Sequence, residues 1–75
     1  MARTILGVKV AAQPIYHLEW LVPKYGTKGI NVQAKNMAVA RRKVKRRYGV
    51  ALNRQVGRKI VAKGRPIPHG MGYDV

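Results

Sequence analysis

Between Asn36 and Gly49 the sequence reads NMAVARRKVKRRYG, which is punctuated as a helix at both ends. Asn36 suits an N-cap, because its side-chain oxygen can accept from first-turn amides that have no partner of their own. Gly49 suits the position just past a helix, where a positive φ is favoured. The spacing predicts a helix over Met37 to Tyr48. At about 100° per residue, Met37, Ala40, Val44 and Tyr48 fall within about 80° of one another, a stripe that can pack on a sheet. Arg41 and Arg47 flank this stripe, while Arg42, Lys43, Lys45 and Arg46 point away from it, to solvent or to a ligand.

Every position from Arg41 to Arg47 except Val44 is a cation. The pairs 41/45, 42/46 and 43/47 repel, each at about 0.2 to 0.5 kcal/mol, and no acidic residue lies between Glu19 and Asp74 to offset them. A merely solvated face would mix Glu with Lys. The whole chain repeats the imbalance. Sixteen Lys and Arg against two carboxylates give +14 over 75 residues, well beyond the charge of about 2 to 8 that suits a small soluble domain. Self-repulsion of this size opposes compaction and favours polyanionic partners. Four of the six helix cations are arginine, which forks onto phosphate oxygens and stacks on bases.

Charge alone would fit disorder, but 47% of the residues are hydrophobic and several alternate, as strands require. Thr4 to Ala12 places Leu6, Val8 and Val10 on one face. Tyr16, Leu18, Trp20 and Val22 share a face opposite His17, Glu19 and Leu21, and Pro23 ends that run. Lys24 to Gly29 suits a hairpin loop, followed by a strand over Ile30 to Lys35 with Ile30, Val32 and Ala34 inward. Arg58 to Lys63 is a further candidate strand, and Val50 to Gln55 fits strand or loop. From Gly64 onward three glycines and two prolines predict an irregular, extended tail held by whatever it touches. The fold class expected is α+β: an antiparallel sheet of three to four strands, one basic amphipathic helix on one face, a single domain over residues 1–63 and a tail over 64–75.

Catalysis finds little support in the inventory. Neither Ser nor Cys is present as a nucleophile, and Glu19 and Asp74 are far apart in sequence. His17 and His69 lack the further ligands a metal site needs, so no metal and no cofactor are expected. No run approaches the roughly 20 apolar residues of a membrane span, and the start lacks a signal-peptide pattern. An intracellular setting, in cytoplasm or nucleoid, or inside a virus particle, is expected.

The expected partner is DNA or RNA, held mainly by its phosphates. A second cationic group, Arg54, Arg58, Lys59, Lys63 and Arg65, follows the helix, and Lys9, Lys24, Lys28 and Lys35 are spread over strands and loops. Charge over most of the chain favours a structural protein embedded in a nucleoprotein particle, with other proteins of the assembly as neighbours, over a one-face sequence reader. Trp20, Tyr16, Tyr25 and Tyr48 could stack on bases; Tyr25, in the glycine loop, is the better candidate, whereas Trp20 and Tyr16 alternate with apolar residues as core residues do. Lys63-Gly-Arg-Pro66 resembles the core of an AT-hook, an extended Arg-Gly-Arg-Pro segment that lies in the minor groove. Lys stands here where the family has its first Arg, Ile67-Pro68-His69 stands where the family has more basic residues, and the match covers four residues. A rival function is a basic assembly linker whose sheet and tail residues Ile67, Met71, Tyr73 and Val75 dock on acidic protein surfaces.

Overall fold

Pairing partners on both sides make the Tyr16 to Val22 run the centre of the sheet. In the computed structural model, which describes residues 9–73, β1 (Ile15–Val22) lies between β2 (Gly26–Gln33) and β3 (Val56–Val61), both antiparallel to it. A helix, α1 (Met37–Tyr48), packs on one face, and a short 3-10 turn at Leu52–Arg54 leads into β3. The protein is therefore α+β, with three strands among the described residues.

The alternation in β1 assigns the faces. Tyr16, Leu18 and Trp20 join Ile30, Val32, Ala34, Ala40, Val44 and Val50 in the main core under α1. Leu18, Val32 and Val44 are fully buried there, each stabilising the fold by about 1.5 to 3 kcal/mol relative to exposure. Ile15, of opposite parity, belongs to a second core with Ala11 and Val61, against which Ile60, Ile67 and Met71 pack. The segment from Gly64 thus touches the chain itself. Ala11 N donates to Arg65 O, Gly64 N to Ala11 O and Ile67 N to Lys9 O, while Asn31 Nδ2 donates to Gly72 O.

The cap residues act as their chemistry predicts. Asn36 Oδ1 accepts from Val39 N at 2.9 Å, and Gly49, at φ 74° and ψ 17°, donates to Lys45 O. Other boundaries move. The β1–β2 loop is shorter than the glycines suggest, since pairing runs out to Val22 opposite Gly26 and makes Thr27, Lys28 and Gly29 strand. Gly29 is there for close approach: a Cβ would lie 2.9 Å from the His17 ring. The third strand of the sheet begins at Val56 rather than Arg58, because Gly57 pairs with Leu18 beneath Met37. It stops at Val61, where Ala62 to Arg65 turns with Arg65 N on Ala62 O and Gly64 at φ 82°. Lys63-Gly-Arg-Pro66 is accordingly bent, unlike the extended segment of an AT-hook. Residues 4–8 of the expected first strand lie outside the described residues, and its remainder makes one isolated bridge, Val10 to Pro66.

Candidate nucleic-acid interface

Chain direction gathers cations at one end of the sheet. The helix α1 leaves the end of β2 and runs back along the sheet, so its last turn reaches the level of the β1–β2 turn. There the Tyr48 ring sits 5.5 Å from the Trp20 ring, centroid to centroid, at an interplanar angle of 42°. Trp20 is buried, while Tyr48 remains 37% exposed. In β2, Lys28 lies opposite Trp20, and its Nζ stands 5.8 Å from the Tyr48 ring centroid, with the Arg47 guanidinium carbon at 6.0 Å. The ring draws two like charges together, a cation–π arrangement that offsets part of their repulsion. Lys45, Arg46 and Arg47 in the last turn also complement the negative end of the helix dipole.

The β1–β2 turn closes this end. Tyr25 N donates to Val22 O at 3.0 Å, with Pro23 second and Lys24 third in the turn. Lys24 has φ 79°, a left-handed conformation that this position of a type II turn normally reserves for Gly or Asn. Tyr25 projects from the turn at 85% exposure. One cleft is lined by Val22, Tyr25, Gly26, Thr27 and Lys28, and another by Lys43, Arg46, Arg47 and Tyr48. Lys28 reaches from the first cleft to the ring of the second.

The helix cations expected to bind divide into two sets. Arg42, Lys45, Arg46 and Arg47 are exposed. Arg41 instead turns inward, its Nη1 donating to Leu52 O at 3.1 Å and Gln55 O at 2.6 Å. In return, the buried Gln55 donates from Nε2 to Arg41 O and Val50 O, both at 3.1 Å. Lys43 reaches back to the sheet, Nζ to Gln33 O at 2.9 Å, rather than outward as its helical angle predicts. A long side chain on the flank of a helix can find a backbone acceptor that angular position does not reveal. Arg54 is at the same end of the molecule, donating from Nη2 to Leu21 O at 2.9 Å.

The remaining cations lie elsewhere. Arg58 pairs with His17 on the sheet face away from α1, beside Glu19 and Val56. Lys59 is exposed on β3. Lys63 and Arg65 follow β3 at the opposite end of the sheet, where Val61 pairs with Ile15; eight residues of β1 separate the two ends, about 23 Å at the rise of a strand. The structure thus places Lys28 beside Tyr25 and, with Arg47, on the Tyr48 ring, with Arg54 held by Leu21 O at the same end of β1, and does not join these to Lys63 and Arg65. The sequence offered Tyr48 only as one of four rings that could stack on bases, and it did not assign Lys28 to the site. The helical period places Tyr48 next to the sheet, but only the strand register puts Lys28 beside it.

No described acidic residue neutralises this surface. Glu19 is engaged by His17 Nε2 at 2.8 Å, while His17 Nδ1 meets Asn31 Oδ1 at 2.8 Å. Among the described residues no lysine or arginine forms a salt bridge, and no helix is long and apolar enough to cross a membrane. Comparison with protein-family models, with curated proteins and with solved structures found no match to this chain.

Proposed function

We propose that this chain is a small structural nucleic-acid-binding protein of a nucleoprotein particle, such as a ribosome, a virion or condensed DNA, and that it holds phosphates with little regard to sequence. The observation that carries this reading is the outer side of α1: Arg42, Lys45, Arg46 and Arg47 are all exposed, and no carboxylate among the described residues pairs with them. Phosphates supply that anion, and arginine can take two of their oxygens at once. Low sequence selectivity follows from the spread of cations over most of the chain, since contacts to phosphates position a protein without reading bases. The assembly-linker alternative loses part of its support, since Ile67 and Met71 are packed in the second core.

Replacing Arg42 and Arg46 together by Gln tests the reading. The double variant sheds one repulsive i,i+4 pair and should unfold no more easily than the parent. Its binding to two unrelated duplexes should weaken alike, and log K against log salt should become shallower by about 1.8 units. Unchanged binding would identify this face as solvated surface and favour docking on acidic protein.

A further inference from the structure

Resting on the phosphate-binding reading, we infer that the end of the molecule formed by the β1–β2 turn and the last turn of α1 is a site for unpaired nucleotides, which makes single strands the preferred ligand class. Tyr25 stacks on a base there, while Lys28, Arg46 and Arg47 hold the adjoining phosphates. The exposure of Tyr25 supports this first. An aromatic ring at 85% exposure on a turn adds little to the core, and a phosphate site has no use for it. Its π face suits another π face, and bases present theirs only when they are not stacked within a duplex.

The position of Tyr25 supports it too. The cleft beside Tyr25 is also lined by Lys28, whose ammonium is held 5.8 Å from the Tyr48 ring centroid. Arg47 converges on the same ring, and Arg46 lines the cleft alongside. Tyr25 therefore adjoins Lys28, and Lys28 leads by way of the Tyr48 ring to Arg47, a sequence of ring and cations that suits successive base and phosphates of one strand. Backbone conformation agrees. Lys24 occupies a positive-φ position that glycine would fill without strain, and strain of this kind concentrates at ligand-binding sites. Lysine there adds a cation next to Tyr25, which glycine would not.

Fluorescence anisotropy of the full chain with labelled oligothymidylate and with a labelled mixed-sequence duplex, each across a salt series, tests the inference. Tyr25→Ala should weaken oligothymidylate binding about tenfold, within the range reported for one stacked base, without changing the salt slope. Duplex affinity should change less than about twofold, since the cations remain. Tyr25→Phe, which keeps the ring, should retain the parental affinity for the single strand. Equal losses on both ligands, or none on the single strand, would overturn the nucleotide site while salt-dependent binding by the parent left the broader reading standing. Absence of binding to either ligand would overturn both.

Discussion

Gly57 shows how much one side chain can decide. It pairs with Leu18 in the sheet, and a Cβ there would run into Leu18 Cδ2 and lie 2.9 Å from Met37 Sδ. Gly57→Ala should therefore lower stability by roughly 1 to 3 kcal/mol through overpacking, seen as a lower midpoint in urea; an unchanged midpoint would mean that Leu18 and Met37 do not close over this position. Lys24 is the opposite case. Its φ of 79° is strained for a lysine by about 1 kcal/mol or more. Lys24→Gly should leave the urea midpoint unchanged or raise it, and a clear drop would show that Lys24 has a structural role. Neither feature could be read from sequence. Glycine in GTKG looks like a loop, yet Gly29 serves a close approach to His17, and only the strand register reveals which glycine does which.

Most of α1 was legible as an element. Asn36, Gly49 and the spacing of Ala40 and Val44 fix its ends and its buried side with local chemistry, and local chemistry is what a sequence displays. Asn36→Ala should cost about 1 kcal/mol by removing the bond to Val39 N. Val44→Ala, at a fully buried position, should cost roughly 1 to 3 kcal/mol. Thermal unfolding measures both, and little change in the second would mean that the helix is not docked. The destinations of its cations were less legible. Arg41 and Lys43 reach carbonyls of Gln55 and Gln33, ten or more residues away, so their partners depend on tertiary contacts that helical angle does not encode. The same reason hid the pairing of Lys28 with the last turn of α1.

Across the whole molecule, net charge dominates. A chain at +14 with no Lys or Arg salt bridge among its described residues repels itself, and screening shortens the reach of that repulsion to about 8 Å at physiological ionic strength. The thermal midpoint should accordingly rise with added salt, whereas binding to a polyanion should fall. These opposed responses separate the effect of salt on the fold from its effect on the partner. The distribution of charge was partly legible: composition gave the net excess of cations, but the division into a crowded end near Tyr48 and a separate group at Lys63 and Arg65 needed the topology. The most direct test of the central claim is the salt dependence of binding to two unrelated duplexes. With Arg42, Lys45, Arg46 and Arg47 each on a phosphate, log K should fall against log salt with a slope of about −3.6 or steeper, and similarly for both sequences. A flat dependence, or a steep one confined to a single sequence, would contradict the account.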